Sequence, residues 1–379
     1  MQKNKKVAIL TRTTTLNFGT LLQSYALQMY IKSIGFEVFV IDDNMPRRFY
    51  TSNKNALNET SGKNTIKEYL ALKYDEYKYN KQYRNTCLIE KKIKKFKRKY
   101  VSYFNIIELN DLNEKFDIFV SGSDQIWADT AEPELFPFFM QDFVEDNKLK
   151  ISYAVSVGIK KYNLHNENIV KELLRGFDFL SVREHSSQNA LSQYTNKKIT
   201  IACDPVLLLE PLNWKKLSGR KKLRGRYIFC YFLSNNKWYY DKLSVINKAL
   251  NVTVYIFQKD GLTEGQDGHI RINSCSPTDF LNYICNAEFV VTDSYHATLF
   301  SIIFKRPFNV FERFKNSSDN MQNGRIQYIL DKLGLMQYYI SQESEIVMNE
   351  YSYEKINKKI EIFTKESIDF LQNALEGRK

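Results

Sequence analysis

The chain opens with a strand, a polar loop, a helix and a second strand in unbroken succession, and that order restricts what can follow. Val7-Ala8-Ile9-Leu10-Thr11 is a short apolar run that reads as a buried strand, and Thr13 to Gly19 is polar. Leu21, Leu22, Tyr25, Ala26, Met29 and Ile31 then recur at helical spacing. Gly35 ends that helix, and Phe36-Glu37-Val38-Phe39-Val40-Ile41-Asp42 is the next strand. A βαβ opening of this kind implies a parallel sheet. Strand-like runs resume at Phe116–Val120, Ile151–Val155, Phe179–Val182 and Ile199–Ala202 and complete a first open sheet. A second series starts at Tyr227–Leu233, with a helix near 236–249, strands at 252–257, 270–272 and 289–292, and helices at 277–286 and 295–304. A last helix is predicted over 352–376.

At 379 residues the chain has room for two domains. The expected class is α/β, with two Rossmann-like open-sheet domains facing a cleft. Residues 1–208 form the first, with a basic helical insertion at about 55–105. Residues 209–226 are a basic linker, 227–345 the second domain and 346–379 a C-terminal helix.

With 43% hydrophobic residues and only 14 Gly and 7 Pro, global disorder and low-complexity scaffolds are excluded. The five cysteines (87, 203, 230, 275, 285) are widely spaced, with no C-x-x-C and no zinc-ligand spacing, so neither a disulfide framework, a structural zinc nor any other metal is expected. No run approaches the ~18 apolar residues that span a bilayer, and the N-terminal apolar run is too short for a signal peptide. A cytoplasmic, reduced protein is the expectation.

The net charge of +12 invites a polyanionic partner, but it is concentrated. Between Lys63 and Tyr100 there are 13 Lys or Arg against 4 Asp or Glu, and between Lys215 and Arg226 seven against none. The remainder is slightly acidic, and no nucleic-acid-binding motif accompanies the blocks, so nucleic acid is not expected as a partner. Aromatic and apolar residues recur at three- and four-residue steps through 63–100. That block is either a solvated helical insertion whose aromatics pack on the body, or a peripheral contact with anionic membrane. The second block, with Pro211, Gly219 and Gly225, reads as solvated linker. Gly62-Lys63-Asn64-Thr65 lacks the upstream glycine of a P-loop, and no G-x-G-x-x-G follows the first strand, which disfavours nucleotide-hydrolysing and dinucleotide enzymes.

In open α/β sheets ligands collect at the carboxyl ends of strands, which directs attention to a few residues. Asn17-Phe18-Gly19 precedes a helix whose free N–H groups suit an anion, or is simply a capped turn. Ser121-Gly122-Ser123-Asp124-Gln125-Ile126-Trp127 admits a ligand near the backbone, or is a turn with a core tryptophan. Arg183 directly ends a strand, where its planar fork suits a carboxylate or phosphate, or forms an ion pair with Glu184. Thr292-Asp293-Ser294-Tyr295-His296 lies between an apolar strand and an apolar helix, so His296 sits in a first helical turn. There it is either neutral or facing an anion, apt for proton transfer at a phosphate. Lys305, Arg306 and Arg325 follow and are expected to supply cations to the same cleft.

These pieces resemble the polysaccharide pyruvyl transferase family. The matching segments are Asn17-Phe18-Gly19 with Leu22 to Gln28, Ser121 to Trp127, Ser152 to Ser156, Ser181 to Glu184, Asp204-Pro205-Val206-Leu207-Leu208, and Thr292 to Thr298 leading to Lys305-Arg306-Pro307-Phe308. Where the family often shows glycine after the histidine, this chain has Ala297. The resemblance implies a GT-B-like pair of domains, with the donor bound by the C-terminal one. It further implies transfer of a carboxyethylidene group from phosphoenolpyruvate to a sugar of a surface glycan; the expected acceptor is a capsular or exopolysaccharide precursor on a polyprenyl-diphosphate carrier, and ketal formation of this kind needs no cofactor. It places Arg183 and His296 in the donor site; they are expected to be the catalytic residues, with Ser294, Tyr295, Lys305, Arg306 and Arg325 around the donor. Asn17, Phe18, Gly19, Gly122, Ser123, Asp124, Gln125 and Trp127 then line the acceptor side of the cleft. The alternative on the same architecture is a glycosyltransferase using a nucleotide sugar; a third reading is a non-enzymatic scaffold for anionic membrane or glycan.

Overall fold

The computed structural model describes residues 5–43, 84–104, 108–129, 134–258, 268–314, 322–348 and 352–378. The first sheet is built from β1 (Lys6–Leu10), α1 (Phe18–Ser33), β2 (Glu37–Ile41), α2 (residues 84–100), β3 (Tyr103–Phe104), α3 (Asn110–Lys115) and β4 (Ile118–Asp124). It continues with α4 (Phe136–Phe139), β5 (Leu149–Val155), α5 (Leu164–Gly176), β6 (Leu180–Val182), α6 (His185–Leu191) and β7 (Ile199–Ile201). The second comprises α7 (Pro211–Ser218), β8 (Tyr227–Phe232), α8 (Trp238–Leu250), β9 (Thr253–Gln258), β10 (Ile270–Arg271) and α9 (Pro277–Asn286). It ends with β11 (Phe289–Thr292), α10 (Tyr295–Ile303), β12 (Phe308–Phe311), α11 (Gln322–Leu333), β13 (Tyr339–Ile340) and α12 (Tyr353–Glu376).

Every strand pair is parallel. The orders are β3-β2-β1-β4-β5-β6-β7 and β10-β9-β8-β11-β12-β13. Chain order reverses between β1 and β4 in the first sheet and between β8 and β11 in the second, and a crevice opens at the carboxyl ends of strands at each such point. The expected pair of Rossmann-like sheets facing a cleft, the GT-B arrangement, is therefore present. β4 and β8 are buried along their whole length, which accounts for their uninterrupted apolar or small-residue sequences.

α1 joins the two halves. Asn17 caps it by accepting from the Gly19 N–H, and most of its residues are buried rather than one stripe. Phe18 meets the rings of Tyr231, Phe257 and Phe280 in the second domain, while Leu21 and Leu27 share a core with Val7 and Ile9 of β1. One hydrophobic core thus runs from the first sheet through α1 to the second. α12 returns to the first domain, where Ser367 accepts from the Cys203 N–H at 2.8 Å and Gln372 donates to Tyr30.

Residues 211–218, expected as linker, form a helix instead, and its Trp214 is fully buried against Phe300. Proline at a first helical position starts a helix as readily as it punctuates a loop. The insertion is helical over 84–100, with Ile93 and Phe96 buried and most of its lysines outward; the part from 55 to 83 lies outside the described residues. All five cysteines are free. Among the described residues no helix is long and apolar enough to cross a membrane.

Candidate active site

Both crevices open on one cavity of about 230 Å³. From the first domain it receives Arg12 and Asn17, which follow β1, and Asp124 and Gln125 at the end of β4. From the second it receives Asp293 to His296 after β11, Arg313 after β12, and Asn323 and Arg325 from α11. Two helices begin at its wall. Asn17 caps α1, and Ser294 caps α10 by accepting from the Ala297 N–H. Their N-terminal dipoles add positive potential to the arginines.

Behind the lining lies a sealed floor. Arg183, 2% exposed, donates from Nη1 to Asp204 Oδ2 at 2.7 Å, while its Nε lies 3.5 Å from Glu184 and its Nη2 3.8 Å from Asp124. Its guanidinium lies over the Tyr295 ring, 4.4 Å from the centroid. Burial disfavours this cation, but Tyr295, Asp204, Glu184 and Asp124 outweigh burial and raise its pKa. Asp204 also faces His296, Oδ2 to Nε2 at 3.3 Å, and its Oδ1 accepts from the Val206 N–H. Against the cost of burial, His296 and Arg183 hold its carboxyl below the usual carboxylate range. Arg183, Asp204 and His296 therefore form a chain leading from the floor to the cavity.

The other side of the imidazole is set by Gly19. A Cβ there would lie 2.3 Å from Cγ and Nδ1 of His296, so only glycine lets α1 approach the ring this closely. Asp124 ends β4 with φ of 73°, a left-handed conformation that aspartate tolerates better than most residues. It accepts from the Thr20 hydroxyl, and burial, which would raise its pKa, is overcome by His296, Arg183 and Arg325.

The wall differs. Arg325 stays partly accessible, with Nη1 3.8 Å from Asp124 Oδ1. Its pKa is pushed down to about 10 by burial and by the neighbouring Arg183, against the pull of Asp124 and Glu184. Asp293 accepts from the N–H groups of Leu233 and Ser234 at 2.7 and 3.0 Å, tying β8 to β11. Burial nevertheless holds its carboxyl above the usual range.

Of the residues expected from sequence, Asn17, Asp124, Gln125, Ser294, Tyr295, His296 and Arg325 converge on the cavity, and Gly19 backs His296. Arg183 does not line it; the ion pair with Glu184 exists, but as part of the floor. Phe18 packs between the domains. A Cβ on Gly122 would meet Leu27 at 2.4 Å, Ser123 donates to the Ala154 carbonyl, and Trp127 is buried, donating to the Phe139 carbonyl. These three serve packing because β4 and the turn after it are covered on both sides. Lys305 and Arg306 are also misplaced by the sequence expectation. They lie beyond the far end of the nine-residue α10, roughly 14 Å along the helix from His296 at 1.5 Å per residue. Lys305 lines a separate cavity beside Leu207 and Ile360, and Arg306 donates toward the Ala287 carbonyl.

Sequence reasoning passed over Arg12 and Arg313 as cavity residues and Asp204 as the partner of His296. Arg183 directly follows its strand, whereas Arg12 and Arg313 stand two residues beyond β1 and β12, and the sequence pattern does not single out β12 as a strand. Among the described residues no group of three His, Cys, Asp or Glu is placed to hold a metal.

No curated protein matches the chain significantly. Among solved structures it is similar to a putative UDP-N-acetylglucosamine 2-epimerase from Listeria monocytogenes, at 14% identity and a TM-score of 0.46 over 98% of this chain and 91% of that one. It is similar also to the UDP-GlcNAc 2-epimerase from Neisseria meningitidis bound to UDP-GlcNAc, at 10% identity, a TM-score of 0.46 and coverage of 97% and 94%. The spinosyn rhamnosyltransferase SpnG, complexed with spinosyn aglycone, matches at 10% identity, a TM-score of 0.40 and coverage of 98% and 96%. The model of the polysaccharide pyruvyl transferase family matches residues 17–313, from the cap of α1 to the arginine after β12, and the chain belongs to that family.

Proposed function

We propose that the protein transfers the carboxyethylidene group of phosphoenolpyruvate onto a pair of hydroxyls of a sugar, forming a cyclic ketal. The observation that carries this reading is the cavity itself. It is lined by Arg12, Arg313, Arg325 and His296 and flanked by two helix N-termini, and its volume of about 230 Å³ is below the ~300–1,000 Å³ usual for drug-sized ligands. A compact carboxylate-phosphate suits it better than a nucleotide diphosphate sugar, which the glycosyltransferase alternative requires.

The reaction moves two protons. The donor methylene gains one and becomes a methyl group, leaving an oxocarbenium-like C2 that one sugar hydroxyl attacks. Phosphate leaves with the other, and the second hydroxyl closes the ring. In this reading His296 delivers and accepts protons, with Asp204 holding its Nε2 side and Arg183 holding Asp204. Arg325, Arg313 and Arg12 take the donor's charges, in place of Arg183, Lys305 and Arg306. The chemistry needs a clamp and an acid/base group. The acceptor side falls to the first-domain wall around Asn17, Asp124 and Gln125. We place the acceptor in a capsular or exopolysaccharide precursor on a polyprenyl diphosphate, which puts the work at the inner face of the plasma membrane.

The test is incubation with phosphoenolpyruvate and an aryl- or lipid-linked oligosaccharide. Phosphate release with a carboxyethylidene mass gain on the sugar is expected, and His296→Ala should abolish both. A hexose gain from a sugar nucleotide, with none from phosphoenolpyruvate, would install the glycosyltransferase instead.

A further inference from the structure

The two basic blocks, far apart in the chain and of different expected character, meet in space. Tyr25 of α1 lies beneath both: its ring is 6.1 Å from Phe96 and 6.3 Å from Tyr100 of α2, and 5.8 Å from Trp214 of α7. Asp279 joins them again, pairing with Lys92 of α2 at 3.4 Å and with Lys222 of the second block. While the apolar sides converge inward, the basic sides face solvent. On α2 the exposed stripe is Arg84, Leu88, Lys91, Lys95 and Arg98, at helical spacing, with Lys99 beside it. On α7 Leu212 is followed at three and four residues by the exposed Lys215 and Lys216, and Arg220, Lys221 and Arg224 extend the same block.

The two helices share one pattern. Leu88 is 48% exposed between Arg84 and Lys91, and Leu212 is 59% exposed beside Lys215 and Lys216. An exposed leucine flanked by cations one turn away is what a helix lying on a bilayer needs, with the apolar chain at the acyl boundary and the cations at lipid phosphates. Single-stranded nucleic acid is instead held by exposed aromatic rings, and here Phe96 is 3% exposed and faces the core.

We propose that α2 and the 211–226 segment form one docking surface for a bilayer bearing anionic phospholipid, contributed by both domains. The inference is independent of what the active site transfers.

The intact protein is sedimented with vesicles of phosphatidylcholine alone or mixed equally with phosphatidylglycerol. Binding is expected only to the mixed vesicles, and it should be lost near 1 M salt, where the Debye length falls to about 3 Å. At about fivefold per cation, Lys91→Glu with Lys95→Glu should weaken binding by more than about tenfold, and Lys215→Glu with Lys216→Glu by a similar factor. All four together should abolish it. Leu88→Ala with Leu212→Ala should weaken vesicle binding and leave binding to duplex DNA unchanged. These residues are exposed, so unfolding transitions serve as the control for folding. Full vesicle binding by the Lys215/Lys216 variant would overturn the shared surface. Equal binding to neutral vesicles, or duplex DNA bound as tightly as mixed vesicles and insensitive to the leucines, would overturn the membrane assignment.

Discussion

Arg183 and Arg325 both reach within 3.8 Å of Asp124, and the protein treats them in opposite ways. Arg183 is sealed among Asp204, Glu184, Asp124 and the Tyr295 ring, and its charge is reinforced. Arg325 stands at the cavity with less carboxylate around it, and its charge is weakened, the pKa falling to about 10. A cation ringed by carboxylates holds structure in place, even though only Nη1 of Arg183 makes a hydrogen bond, whereas one with fewer carboxylates around it gains most from an incoming anion. In the proposed reading, the floor of the cavity positions and its wall binds.

The largest effect should come from breaking the floor. Asp204→Asn removes the carboxylate shared by Arg183 and His296, both nearly inaccessible, and breaking a buried pair typically costs about 3–5 kcal/mol. Denaturant unfolding measures it. The sign with pH follows from the lowered pKa values of Asp124 and Asp204 in the native state. Their stabilisation is complete above the unfolded value near 4 and fades as pH falls below it. The variant should therefore lose less stability than the parent between about pH 4 and 2. A variant as stable as the parent would show that the floor does not support the site.

Next is Gly19→Ala, which acts on geometry rather than charge. The new Cβ, 2.3 Å from the imidazole carbon and nitrogen, must displace His296 from Asp204. A misplacement near 1 Å can cost on the order of 10²-fold in rate. The expected result is a fall in kcat with donor KM little changed; unaltered turnover would remove the ring position from the argument.

Breaking the wall should affect affinity. Arg325→Gln deletes a charged hydrogen-bond donor worth ~1.5–3 kcal/mol, so the phosphoenolpyruvate Kd should rise about tenfold or more with stability nearly unchanged. Arg183→Gln should do the reverse, costing stability first. If calorimetry found the two variants alike in both respects, the distinction between wall and floor would fail.

Much of this site was legible because the strand-end rule is geometric: an apolar run followed by polar residues points at the crevice whatever the chemistry. It located Asn17, Asp124, Ser294 and His296. It cannot tell which side of a covered strand end faces the cavity, so it points to Gly122, Ser123 and Trp127 as well, although they pack inward. Nor could it rank cations. Arg183 has the strongest sequence position and the deepest burial, and only the three-dimensional placement of Asp204, 21 positions along the chain, reveals that its charge is already answered. The two basic blocks show the same limit, because their meeting depends on Tyr25 and Asp279, neither of which belongs to either block.

The smallest effect is expected at Lys305, and it bears on the same comparison. Sequence places Lys305 downstream of His296 in a helix-ending motif, which suggests a shared ligand. The intervening helix runs from Tyr295 to Ile303, and a rigid helix cannot bring its two ends to one small anion. Lys305 is exposed beside a cavity formed with Leu207 and Ile360, and its backbone takes a left-handed φ of 54° where the chain leaves α10. Lys305→Ala should therefore leave the phosphoenolpyruvate Kd and turnover unchanged, whereas Lys305→Gly, which relieves the left-handed backbone, should raise stability by a few tenths of a kcal/mol to about 1 kcal/mol. A weakened donor Kd in the alanine variant, read by the same calorimetry as Arg325→Gln, would extend the binding wall to the far end of the helix and require the cavity to be larger than its lining indicates.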